Sequence, residues 1–177
     1  MLEMMKAMGP RVLMAMFCLG LSSTAAAESS SGCDAVPGTY VATIVDREGV
    51  FSSRGLLTFA AGGVLLVTDS SQGGVPGVWD PFSASQGAWR CDVDAKQGVQ
   101  VVATALNFVL PADGRQSGFG RVDYEASLDP ATGELSGKIL LRLDARKDLE
   151  AADPLTRPGP AADEFQFDAR RVSAGRT

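Results

Sequence analysis

The residue types that most often perform enzymatic chemistry are scarce in this sequence. It contains no histidine, which excludes a Ser-His-Asp triad, a Cys-His dyad and a His-ligated catalytic zinc. Acid–base chemistry would fall to Asp, Glu, Tyr, Lys or Arg side chains. The glycine clusters lack the spacing of a phosphate-binding loop, and the acidic residues lack that of an EF-hand. We therefore assign no catalytic residue, cofactor or metal ligand, and favour a non-enzymatic protein while an enzymatic role stays open.

A few polar and aromatic residues inside apolar runs are candidates for contact with a ligand. Asp69 ends an apolar run; burial would raise its pKa towards that of a general base, whereas the simpler interpretation is a turn in which it accepts from its own backbone. Asn107, the only asparagine, either contacts a ligand or faces outward, and strand alternation favours the second. Aromatic residues usually belong to the core. The candidate ligand-binding residues are Tyr40, Asp69, Trp89, Asn107 and Tyr124.

The first 27 residues have the pattern of a secretory signal peptide. Lys6 and Arg11 precede an apolar run at 12–21, and small residues follow as far as Ala27. A basic head, a short apolar core and an Ala-x-Ala end are typical of such signals. The core is shorter than the roughly 20 residues that a bilayer span needs. We expect cleavage after Ala27 and export to the periplasm or outside the cell, with no membrane span in the mature protein.

The cysteines bear on the same expectation. Cys18 lies within the predicted signal peptide, which leaves Cys33 and Cys91 as an even pair. Because exported chains fold in an oxidising environment, we predict a disulfide between them. Two alternatives are free thiols and a lipid-modified Cys33, and residues 30–32 lack the apolar residue that a lipidation motif usually carries.

The remainder predicts an all-β domain over residues 38–173, preceded by a tail at 28–37. Short runs with strand character are separated by turn residues, and helix is limited to a turn or two at 146–152. Short hairpins favour a meander, so we predict an eight-stranded antiparallel up-and-down β-barrel, with a two-sheet β-sandwich as the alternative. The predicted strands are 39–46, 50–59, 64–70, 82–93, 99–110, 120–128, 134–144 and 164–172.

Two features outside the predicted interior could serve binding. The first, third and fifth strands are apolar on both faces, so their outer faces need a cover such as the tail, a loop or a second copy in a homodimer. The connection at 145–163 is long for a hairpin and is either a lid or binding loop, or a solvated loop without a role.

Short motifs in these strands resemble those of the lipocalin-like, or calycin, barrels. Gly38-Thr39-Tyr40 is similar to the lipocalin Gly-x-Trp box with tyrosine in place of tryptophan. Asp123-Tyr124 resembles the family's Thr-Asp-Tyr, although valine replaces threonine and the pair lies within a strand. Arg170 or Arg171 would be the closing arginine that packs on the first-strand aromatic, and the C-terminal lipocalin helix is missing.

The predicted series of eight strands also resembles the barrel of allene oxide cyclases and dirigent proteins. The lipocalin resemblance implies binding of a small apolar molecule inside the barrel. The cyclase resemblance implies rearrangement of such a molecule.

Charge and composition narrow the possible partners. The chain has 16 basic and 21 acidic residues, a net charge of -5, and this argues against a nucleic-acid partner. Three functions remain: an exported barrel that binds a small hydrophobic ligand, a barrel cyclase or isomerase with a buried carboxylate or tyrosine, and an interaction module with a packed core. The first requires small residues to face inward, namely Gly55, Ala103, Ala105, Ala126 and Gly137.

Overall fold

The structure, a computed structural model, describes residues 30–110, 118–144, 155–156 and 161–174. One short helix precedes eight strands, and every strand lies within three residues of a predicted one. The elements are α1 (Ser30–Cys33), β1 (Gly38–Val45), β2 (Phe51–Ala60), β3 (Val64–Asp69), β4 (Ser85–Asp94), β5 (Gly98–Val109), β6 (Gly118–Leu128), β7 (Glu134–Asp144) and β8 (Ala161–Arg171).

The strands form a closed, all-antiparallel up-and-down barrel, which confirms the predicted fold. Each strand pairs with its neighbours in sequence, and β8 pairs back onto β1 from Tyr40↔Arg171 to Val45↔Gln166. Tight turns make this meander possible. At the β6–β7 turn, for example, Gly133 has φ 72°, a left-handed conformation that glycine adopts without steric cost. Closure gives each of the eight described strands a neighbour on both sides, so the sheet has no terminal strand.

Two strand starts differ from the prediction by three residues, since β8 begins earlier than expected, at Ala161, and β4 begins later. The prediction begins this strand at residue 82, but the ladder begins at Ser85. Phe82 instead forms an isolated bridge with Val109. Pro81 lacks a backbone N–H and therefore cannot extend a ladder. Residues 70–84 consequently form a long connection between β3 and β4.

The two ends of the barrel are filled differently. At the packed end, where β1 begins and β2 ends, Tyr40, Phe59 and Leu65 are fully buried. Tyr40 and Phe59 meet edge to face, with ring centroids 5.8 Å apart. At the open end, where β3 ends and β4 begins, the interior becomes polar, with Ser53 and Ser85 among the buried residues.

The N-terminal segment covers the packed end. The predicted disulfide joins Cys33 to Cys91, with 5.7 Å between the Cα atoms. Val36 is 0% exposed, and its carbonyl accepts a hydrogen bond of 2.8 Å from the Tyr40 hydroxyl. The Arg171 guanidinium lies over the Tyr40 ring, 4.9 Å from its centroid, and donates to the Pro37 carbonyl at 2.6 Å. The segment is thus fixed by a covalent bond, apolar burial and charged hydrogen bonds.

The outer faces of the first three strands remain apolar and exposed. Val41 pairs with Leu56 across β1 and β2, and Val64 and Leu66 follow on β3. All four side chains are exposed. The sequence predicts a cover over this surface, and none of the described residues supplies one. A homodimer through it stays a prediction. Among the described residues, no helix has the length and apolar character to span a membrane.

Candidate functional site

A cavity of about 280 Å³ occupies the open end of the barrel. Its walls combine aliphatic, aromatic and hydroxyl side chains from the strands with residues of the β3–β4 connection. The lining residues include Ile44, Ser53, Val67, Asp69, Ser71, Val78, Trp79, Asp80, Phe82, Ser85, Asn107, Val109, Val122, Tyr124, Ile139, Leu141, Asp163 and Phe165.

Asp69 lies in this wall and also begins a turn. Its Oδ1 accepts from the Ser71 backbone N–H at 2.8 Å and from the Ser71 hydroxyl at 2.6 Å. Its Oδ2 accepts from the Ser53 hydroxyl at 2.9 Å. The turn interpretation is therefore confirmed, since an aspartate that accepts from the second residue after it forms an Asx turn. The same geometry fixes a carboxylate at the edge of the cavity.

Tyr124 brings a buried hydroxyl into the same cavity. The residue is 5% exposed, and its ring meets that of Phe167 edge to face at 6.3 Å. No described residue forms a hydrogen bond with its hydroxyl. Burial, and then the negative charge of Asp69, raise the pKa of Tyr124 well above its usual value of 10.0. The phenol is therefore neutral and can either donate or accept a hydrogen bond.

Asn107 faces inward, so the expectation that it faces outward is wrong. It is 7% exposed, and its amide nitrogen donates to the Ser85 hydroxyl at 3.2 Å. Its Oδ1 is buried without a hydrogen-bond partner. That oxygen lies where a side chain at Gly120, its partner on β6, would begin. Asn107 lies on the same face of β5 as Val101, Ala103 and Ala105, so its amide interrupts an otherwise apolar internal face.

The β3–β4 connection supplies aromatic residues that the sequence reasoning missed. Trp79 and Phe82 line the cavity, and the Trp79 ring contacts that of Phe165 edge to face at 6.3 Å. The Trp79 indole N–H is buried without a partner. The sequence did contain a signal for this position, because a tryptophan is unusual in a Gly- and Pro-rich loop, where most residues are polar. Backbone bonds anchor this loop to the end of β5, including one of 2.9 Å from the Ser83 N–H to the Phe108 carbonyl.

Two of the predicted ligand-binding residues lie away from the cavity. Tyr40 is in the packed end, and Trp89 donates its indole N–H to the Ala60 carbonyl at 2.9 Å while its ring contacts Phe59. Neither lines the cavity. The structure therefore brings together Asp69, Asn107 and Tyr124, and separates them from Tyr40 and Trp89.

The small residues expected to face inward do so without lining the cavity. Gly55, Ala103, Ala105 and Ala126 are buried, and Gly137 is half-buried. A side chain at Gly55 would contact Leu57 and Ile44, so larger neighbours already fill that space. The cavity therefore results from the polar and aromatic residues near the open end.

The long connection between β7 and β8 joins strands at the open end. Of its residues, 145–154 and 157–160 lie outside the described residues, and so does the turn predicted at 146–152. Leu155 and Thr156 are described and exposed.

The described lining of the cavity is suited to non-covalent binding. It contains the acidic residues Asp69, Asp80 and Asp163 and no Lys or Arg. Within the described ranges, no group of three or more cysteine or acidic side chains is arranged to hold a metal ion. A concave, mainly apolar space with a few polar groups is typical of a small-molecule site.

The fold and the cavity together define a closed up-and-down barrel with an internal space that opens at one end. No family model matches the chain, and neither the curated proteins nor the solved structures compared with it include a match. Function must therefore be argued from the site itself.

Proposed function

We propose that this protein is exported and binds a small, mainly apolar molecule in the open end of its barrel. The observation that carries the proposal is a cavity with mainly apolar walls in which the Tyr124 hydroxyl has no hydrogen bond from any described residue. Its volume of about 280 Å³ is close to the lower limit of ligand pockets, roughly 300 Å³. The Cys33–Cys91 disulfide is compatible with export to an oxidising compartment.

The contrast between the two ends supports a site rather than imperfect packing. Protein interiors are usually packed as densely as organic crystals, with few voids larger than a water molecule. At the packed end Tyr40, Phe59 and Leu65 are fully buried, and the rings of Tyr40 and Phe59 are in contact. A buried polar atom without a partner costs about 1–3 kcal/mol. A ligand that forms a hydrogen bond with the Tyr124 hydroxyl and fills the apolar space would offset that cost.

A second candidate is a cyclase or isomerase that acts on a small apolar substrate. Asp69 lies near enough to Tyr124 to affect its ionisation, so a carboxylate base and a neutral phenol acid share one cavity. Such a pair would shift a proton between two positions of a bound substrate. The cavity weighs against the third function, an interaction module with a fully packed core.

Native mass spectrometry of the protein purified from its exporting host tests the binding proposal. We expect a mass above that of the polypeptide, and release of a small molecule on denaturation and organic extraction. Leu141→Trp should abolish the added mass, because Leu141 lines the cavity. Leu140→Trp is the matched control, since Leu140 directly precedes Leu141 on β7 and does not line the cavity.

The outcomes separate the candidates. An added mass that persists in Leu141→Trp would show that the molecule binds elsewhere and would contradict the proposal. An unmodified mass for a folded wild-type protein would also contradict a carrier function. Conversion of the extracted molecule by fresh protein would favour the isomerase over the carrier.

A further inference from the structure

Aromatic rings and acidic groups occur together around the cavity. Trp79, Phe82, Tyr124 and Phe165 line it, as do Asp69 and Asp163. Aromatic faces carry negative electrostatic potential and attract cations, and ammonium ligands are commonly bound in aromatic cages. The rings and the carboxylates therefore favour the same kind of ligand charge.

None of the described residues places a cation against Asp69. Its described hydrogen bonds come from the hydroxyls of Ser53 and Ser71 and from one backbone N–H. Asp123, on the outer wall, differs, because Arg121 and Arg142 contact it at 2.9 and 3.2 Å. A carboxylate at the edge of a mainly apolar cavity, with no counter-ion among the described residues, favours a ligand that brings the positive charge.

The Tyr124 hydroxyl adds an acceptor to the site. It lines the cavity without a hydrogen bond from any described residue, and Tyr124 is more than nine-tenths buried. An ammonium group carries only donors, so it can use this acceptor together with Asp69. A ligand carboxylate would instead be repelled by the negative charge of Asp69.

We propose that the ligand of this cavity is a small organic amine, whose ammonium group lies against Asp69 and Tyr124 and whose apolar body packs among the aromatic rings. This inference rests on the proposed binding function and specifies its ligand class. It assigns the acidic lining a role in selection, because desolvation of an ammonium is tolerated only where charge and hydrogen bonds replace its water. Fatty acids and other anions are excluded by the same carboxylate.

Three probes of similar shape test the charge preference. Phenylbutylamine, phenylbutanol and phenylbutyrate share one apolar body and differ in the end group. Titration calorimetry with the folded wild-type protein should give an affinity for the amine roughly tenfold or more above that for the alcohol. The carboxylate should bind most weakly.

Two variants connect the preference to Asp69. Asp69→Asn should lower the affinity for the amine roughly tenfold and leave that for the alcohol nearly unchanged. Asp129→Asn is the matched control. Asp129 forms a similar Asx turn with Ala131 at the packed end, so its substitution removes the same charge far from the cavity. Circular dichroism and melting curves verify that both variants fold.

Each result decides between the ligand class and the binding function. Equal affinities for the amine and the alcohol, or strongest binding of the carboxylate, would overturn the amine inference while leaving the binding function in place. An Asp69→Asn variant that retains the preference for the amine would also overturn it. Failure of all three probes to bind the folded wild-type protein would overturn the binding function as well.

Discussion

Removal of the Cys33–Cys91 disulfide is expected to weaken the barrel without opening it. The two cysteines are 58 residues apart, and a crosslink of that span lowers the entropy of the unfolded chain by an amount equivalent to about 4 kcal/mol. This is a large part of the 5–15 kcal/mol that typically separates folded from unfolded domains. The Cys33→Ala/Cys91→Ala double variant should therefore unfold at a much lower urea concentration.

The structure also predicts what survives in that variant. Val36 is fully buried, and burial of such a side chain contributes about 1.5–3 kcal/mol. Arg171 and Tyr40 hold the same segment by hydrogen bonds to Pro37 and Val36. The closure of β1 onto β8 does not involve the disulfide. We expect native circular dichroism for the folded variant in the absence of urea.

Equilibrium urea unfolding, followed by tryptophan fluorescence and circular dichroism, measures the effect. The free energy of unfolding should fall by about 4 kcal/mol, and the denaturant slope should rise because an uncrosslinked chain exposes more surface. Wild-type protein kept under reducing conditions is the control and should behave as the variant does. A loss below about 1 kcal/mol with an unchanged slope would refute the reasoning, since the entropic estimate would then not apply.

Three further substitutions or conditions test the packing of the barrel. Gly120→Ala would place a methyl group against the Asn107 amide oxygen and should lower the free energy of unfolding in urea by about 1–3 kcal/mol. Gly73→Ala, with open space around the residue, should leave that free energy unchanged. Equal effects of the two variants would contradict the contact between Gly120 and Asn107. The pKa of Tyr124 is raised by burial above its usual 10.0, so the unfolded chain ionises first and stability should fall above that pH by about 1.4 kcal/mol per pH unit. Tyr124→Phe should reduce this fall of stability with alkaline pH, and an unchanged pH dependence would contradict the raised pKa of Tyr124. Arg171→Lys keeps the charge but loses the planar fork that reaches Pro37 and Tyr40, and should lower the free energy of unfolding by about 1 kcal/mol; an unchanged urea midpoint would exclude a stabilising role.

The predicted elements and the predicted site differ in how well the sequence could locate them. Alternation along β6 and β8 identifies Tyr124 and Phe167 as internal, because one face of each strand is polar. Along β5 the polar residues occur on both faces, since Gln100 and Thr104 lie on the outer face and Asn107 on the inner one, and Asn107 was wrongly expected to point outward. The missed residue Trp79 belongs to a connection without periodicity. Its position depends on backbone bonds to other parts of the chain, including one from the Ser83 N–H to the Phe108 carbonyl.

By itself, the sequence determined the class of fold, the number of strands, the Asx turn at Asp69 and the pairing of Cys33 with Cys91. These features depend on local patterns, namely the period of the strands, the chemistry of the turns and the count of cysteines. Only the tertiary structure decided where the barrel is empty and which polar groups meet there. Asp69, Asn107 and Tyr124 come from three different strands, and closure of the sheet brings them to one cavity. No local pattern contains that information, because a cavity is what remains after all eight strands have packed.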